Sequence, residues 1–243
     1  MPNTPARFPN GLTTVTKANP LGMYGLPDPT GWHTYFNDFD HFTAADWTIT
    51  TTEAGAGSAS EALTDEDGGV LLITNDTADN DADWFQKVGE SFKPAIGKQL
   101  FFKARFKVSD ATQSDWMMGL LITDTTPLAA AGDGATDGIF FQKDDGDTNV
   151  DFYVQKDTTT GQLTNTAVTT CANDTYMTLA FYWDGIQYVK VFKDDVHIYT
   201  ADLTSTPATY LPDTELTISF GIQNGEAAAK TMSVDYVFCA AER

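Results

Sequence analysis

The chain is short of cysteine, basic residues, glutamate and long apolar runs, and each shortage removes a class of function. Cys171 and Cys239 are the only cysteines, too few for a disulfide framework and without the spacing of a zinc site. They can pair only where the fold brings their Cα atoms within about 7 Å, and two small buried hydrophobes is the simpler reading. No stretch approaches the roughly 18 apolar residues of a membrane-spanning helix. The first twenty residues hold no apolar segment of the secretory type, so a signal is expected to be absent or already removed. Lys and Arg number 14 against 34 Asp and Glu, a formal net charge of -20. A surface of that sign repels nucleic acid and anionic membranes, and neither is expected as a partner.

Helical periodicity is missing as well, while two-residue alternation is abundant. Residues 102–108 read FKARFKV, apolar and basic in turn, as a half-buried strand requires. The same habit recurs at 70–74 (VLLIT), 152–155 (FYVQ), 177–183 (MTLAFYW), 188–192 (YVKVF), 216–220 (LTISF) and 232–238 (MSVDYVF). Between them stand turn signals such as Asp184-Gly185, Asn224-Gly225 and Gly68-Gly69, which supply the positive φ of tight hairpins. A dozen or so short strands at this spacing predict one all-β domain of antiparallel strands, a sandwich or a barrel, over about residues 32–243. Only the Ala-rich stretch 127–131 offers a helical turn.

Residues 1–31 differ. They carry Pro2, Pro5, Pro9, Pro20, Pro27 and Pro29 with four glycines, so neither helix nor regular strand fits. Isolated apolar residues at Phe8, Leu12, Leu21, Tyr24 and Leu26, beside Arg7, mark an extended arm that lies on a surface, its own or a neighbour's.

The strand order resembles the concanavalin A-like jelly roll of legume lectins, laminin-G-type modules and many glycanases. The resemblance rests on 34–40 (TYFNDFD) leading to 46–49 (DWTI), on the central pair 100–108 and 116–122, on the hairpin 181–185 (FYWDG) with 189–195 (VKVFKDD), and on the closing 234–237 (VDYV). A second resemblance joins the arm to the first strand. Residues 7–11 (RFPNG), 20–30 (PLGMYGLPDPT) and 32–40 (WHTYFNDFD) look like the start of tailed-bacteriophage virion proteins that decorate or cement the capsid. That resemblance implies a non-enzymatic structural protein on the capsid exterior, made in the host cytoplasm. It would be a homo-oligomer such as a trimer, with the major capsid protein or another virion protein as partner. The arm residues Arg7, Phe8, Leu12, Leu21, Tyr24 and Leu26 would make the contact. The alternative is a carbohydrate-binding module or receptor-binding element, and a glycanase comes third.

Glycanases of the jelly-roll class carry carboxylates on alternate residues of one strand, about 5 Å apart for a retaining mechanism. None of the seven glutamates, Glu53, Glu61, Glu66, Glu90, Glu215, Glu226 and Glu242, stands in that pattern, so no catalytic residue is assigned. Among the tryptophans, Trp47, Trp116 and Trp183 lie in apolar strands and belong to a core. Trp32 and Trp84 are the candidates for exposure and for stacking on a ligand. No cofactor or metal is required, although the loops 144–151 (DDGDTNVD) and 74–81 (TNDTADND) offer oxygens of the kind calcium takes; solvated hairpin loops are the expected reading of both. Lys103, Arg105 and Lys107 share one strand face, either as a positive stripe for an acidic partner or, preferably, as cross-strand partners of aspartates.

Overall fold

The computed structural model describes residues 30–66, 68–128, 135–157, 161–203 and 207–243. Residues 1–29 of the arm lie outside them, and with them the contacts expected of Arg7, Phe8, Leu12, Leu21, Tyr24 and Leu26. The described chain begins with β1 (Trp32–Asn37), β2 (Trp47–Thr52), β3 (Ser60–Thr64), β4 (Val70–Thr74) and β5 (Ala82–Lys87). The middle comprises β6 (Leu100–Val108), β7 (Ser114–Leu121), β8 (Gly138–Lys143), β9 (Asn149–Lys156) and β10 (Gly161–Thr170). The chain ends with β11 (Met177–Trp183), β12 (Tyr188–Lys193), β13 (Val196–Asp202), β14 (Thr217–Asn224) and β15 (Thr231–Glu242). A four-residue helix, α1 (Pro207–Tyr210), was not foreseen; the stretch 127–131 falls partly outside the described residues.

The strands form two antiparallel sheets. One runs β13-β12-β11-β6-β15-β4-β3, with β1 also paired to β15; the other runs β10-β9-β8-β7-β14-β5-β2. Alternation builds the core between them. Phe102, Ala104, Phe106 and Val108 of β6 meet Trp116, Met118 and Leu120 of β7, with Ile218, Phe220 and Ile222 of β14 beside them. Trp47, Trp116 and Trp183 belong to this core, as their strands require. Cys171 and Cys239 are both buried and free.

Two turns depart from simple hairpin chemistry. Gly185 takes the expected positive φ, 80°. Asn224-Gly225 does not: Asn224 ends β14 with no exposed surface and has become a hydrogen-bond hub. Its amide donates to the carbonyls of Asp76 and Ala78, at 2.7 and 2.9 Å, so it organises the 75–81 loop.

Candidate functional site

In each strand of the second sheet, half the side chains point away from the core. Met117 and Leu121 alternate with the core residues of β7, and Trp84 and Phe140 do so on β5 and β8. These four form a separate apolar cluster with Leu128 and Ala135, which come from the connection between β7 and β8. The outward face of this sheet is therefore partly covered by its own chain. That explains why β14 and β8 are buried at every position rather than at alternate ones.

Two glycines let the aromatic rings lie flat. Gly221 is the cross-strand neighbour of Trp84, and Gly119 of Phe140. A Cβ at Gly221 would stand 2.6 Å from Trp84 Cε3, and one at Gly119 would stand 2.7 Å from Phe140 Cβ. Phe140 in turn stacks on Tyr153 of β9, with ring centroids 5.1 Å apart.

At the β2–β5 edge of this face a pocket of about 260 Å³ opens between the sheet and the 125–128 segment. Its walls are Thr50 and Thr52 of β2, Ala82 and Trp84 of β5, Gln223 of β14, Asn80, and residues 125–128. Its wall is mainly apolar, with threonines, Asn80 and Gln223 as its polar residues, and no charged side chain lines it. Trp84 is only 2 % exposed, and its Nε1–H has no hydrogen-bond partner among the described residues. A buried donor left without an acceptor is costly.

The structure corrects the expectation for Trp84. At 2 % exposure it presents no open ring face for stacking. Trp32 stands elsewhere: half-buried, it packs against the cluster of Phe101, Ala180 and Ala240 on the outer face of the other sheet. The two tryptophans share no site.

The carboxylates on the pocket's face are spread out. Asp115 opens the outward row of β7 and is the cross-strand neighbour of Gln223. Burial pushes its carboxyl up to about 6, against a hydrogen bond from the Asp145 N–H that favours the charged form. The next outward residue on β7 is Met117, and on β9 Tyr153 follows Asp151. No strand of this face carries the alternating carboxylate pair among the described residues.

The basic stripe proves to be internally paired. Lys103 meets Asp195 at 2.6 Å, Arg105 meets Asp235, and Lys107 meets Glu66 at 3.4 Å. Arg105 and Lys107 also lie over the Tyr176 ring, 4.1 and 4.5 Å from its centroid. In the 144–151 loop, Asp147 accepts from the Asn149 N–H and side-chain amide at 2.6 and 2.8 Å, and Asp144 accepts from Gln142 Nε2 at 2.7 Å. The 74–81 loop is different: Asp76 and Asp81 converge on Glu53, with ligand oxygens all within 4.8 Å of one another. Glu53 lies too far away in sequence for loop composition to reveal that grouping.

No family model matches this sequence, and no curated protein matches it. Solved structures do. An endo-1,3-β-glucanase from Streptomyces sioyaensis superposes with a TM-score of 0.62 at 15% identity, covering 90% of this chain and 99% of that one. The fold is a concanavalin A-like jelly roll. A glycoside hydrolase family 16 endo-glucanase from Bacteroides ovatus gives 0.56 at 16% identity over 84% of this chain and 98% of its own. Peanut lectin gives 0.56 at 11% identity over 86% and 97%. These likenesses overturn the expectation of a non-enzymatic chain, since enzymes share its architecture almost from end to end. They lend no support to the capsid resemblance.

Proposed function

We propose that this jelly roll recognises a neutral glycan in the pocket beside Trp84. The carrying observation is an uncharged, mainly apolar pocket that carries the threonines Thr50 and Thr52 and the amide residues Asn80 and Gln223 beside Trp84, whose buried Nε1–H has no partner among the described residues. A sugar presents oxygens that accept from such a donor and hydroxyls that suit Thr50, Thr52, Asn80 and Gln223. The missing charge matters to the choice of ligand. No cation lines the pocket, and the chain carries a net charge of -20, so uronates, sulfated sugars and phosphates are disfavoured. The glucanase and lectin likenesses support a carbohydrate ligand in general and neutral glucans as the first probes.

Asp115 is the group through which binding would pass into chemistry. It neighbours Gln223 on the pocket's face, and its carboxyl, raised to about 6, can hold a proton near neutral pH. The test is a panel of neutral and acidic polysaccharides scored for both retention and release of reducing ends. Retention of neutral glycans that falls in Trp84→Phe supports the reading. Retention of acidic glycans alone, or of none, defeats it. Asp115→Asn separates the two activities, because it should keep binding and abolish any product release.

A further inference from the structure

We propose that Glu53, Asp76 and Asp81 form a calcium site at the end of the sandwich, with Asn75 and Asp83 in support. The site adjoins the glycan pocket, whose Thr52, Asn80 and Ala82 flank Glu53 and Asp81 along the chain. Among the described residues five buried side-chain polar atoms lack a partner, and three of them are acceptor oxygens on Glu53, on the neighbour of Asp76 and on the residue two beyond Asp81. These are Glu53 Oε2, Asn75 Oδ1 and Asp83 Oδ2. Asn75 is 2 % exposed and Asp83 not at all. Acceptors buried without donors are what a hard cation satisfies.

The backbone places them. Thr52 pairs with Ala82 where β2 and β5 run antiparallel, so Glu53 and Asp81 face each other just past the paired ends. Asp83 sits two residues from Asp81 on the same face of β5. Asn75 donates from Nδ2 to the Asp81 carbonyl at 2.9 Å, and also to the Ile222 carbonyl and Asn224 Oδ1, which ties this residue to the Asp81 backbone. The remaining oxygens are already oriented by main-chain donors. Glu53 Oε1 accepts from the Ala59 N–H at 2.6 Å, Asp81 Oδ1 from the Ala54 N–H at 2.7 Å, and Asp81 Oδ2 from the Ala78 N–H at 2.9 Å. Gly57 leaves the room Asp76 needs, because a Cβ there would overlap the Asp76 carboxylate.

Ligand chemistry points to the ion. Three carboxylates bring oxygens within 4.8 Å of one another, and calcium takes such oxygens in flexible geometry, whereas magnesium demands a tighter, regular octahedron. None of the ion pairs among the described residues involves Glu53, Asp76, Asp81 or Asp83. A dication would supply the missing positive charge.

The full chain, stripped with EDTA, should be titrated with calcium chloride and separately with magnesium chloride, followed by calorimetry and thermal melting. One calcium per chain, with a melting temperature raised by several degrees at millimolar calcium and a smaller effect of magnesium, is expected. Asp76→Asn and Gly57→Ala should each lose that rise while Asp147→Asn, in the other acidic loop, keeps it. Asp76→Asn should melt in EDTA no lower than the unaltered chain, which shows that it folds. No calcium effect on the unaltered chain, or an effect that survives Asp76→Asn or vanishes in Asp147→Asn, overturns the assignment.

Discussion

The ring of Trp84 lies across Gly221: these residues are cross-strand neighbours, and a Cβ at position 221 would sit 2.6 Å from Trp84 Cε3 and 2.5 Å from the Asp83 carbonyl oxygen. One neighbour is a ring held under Leu128 and the other is backbone, so neither can yield cheaply. Gly221→Ala should therefore destabilise the fold by about 1–3 kcal/mol, as overpacking does. It should also tilt Trp84 and weaken glycan retention. Chemical denaturation together with the retention assay checks both effects.

Asp83 sets a pH dependence with a definite sign. Burial raises its carboxyl to about 6, opposed by the Thr51 hydroxyl and reinforced by the charges of Glu61 and Glu53. Asp81 lies on the same face. The folded-state value exceeds the ordinary 3.8, so the folded chain holds this proton more tightly than the unfolded one. The stabilisation is complete below pH 3.8 and is lost as pH rises through 6. In EDTA, Asp83→Asn should therefore gain about 2 kcal/mol over the unaltered chain at pH 8 and nothing at pH 3.5. Asp115 titrates with the same sign, so the variant flattens the profile without levelling it. Denaturation midpoints across that range provide the check.

The sandwich architecture was legible because β6 shows its two faces separately. Its core residues alternate with Lys103, Arg105 and Lys107, which stay near solvent. Alternation is blurred in β8 and β14, which are buried at every position, and Leu128 and Ala135 pack on the outward cluster of this sheet. The same covering hides Trp84, whose place after an acidic loop suggested exposure. The grouping of Glu53 with Asp76 and Asp81 was not legible in loop composition. It depends on the β2–β5 pairing, and pairing between distant segments leaves no local signal.

Arg105 and Lys107 share Tyr176 as well as their separate acidic partners. Exposed pairs of this kind contribute little, so Arg105→Gln and Lys107→Gln should each cost under about 1 kcal/mol. The double variant should depart from additivity by about 0.5 kcal/mol because both cations lie over one ring. A two-residue cycle measured by denaturation resolves this, and a large single loss at either position would show that the stripe does more than pair internally.

Thr52 tests the pocket without touching the core. It is exposed at the end of β2 and lines the pocket wall. Thr52→Val keeps the shape and removes the hydroxyl, so it should lower glycan affinity about 2–10-fold, the worth of one hydrogen bond, with unchanged stability. Affinity gel electrophoresis beside a thermal melt distinguishes the two effects.

The most direct measurement is a calorimetric titration of neutral gluco-oligosaccharides into the unaltered chain and into Trp84→Phe. The substitution keeps an aromatic ring over Gly221 and removes only the indole and its Nε1–H. Saturable binding to the unaltered chain, weakened about 3–10-fold in the variant with an unchanged fold, is the predicted result. Equal affinity in both chains, or no binding of any neutral glycan to either, would contradict recognition at this pocket.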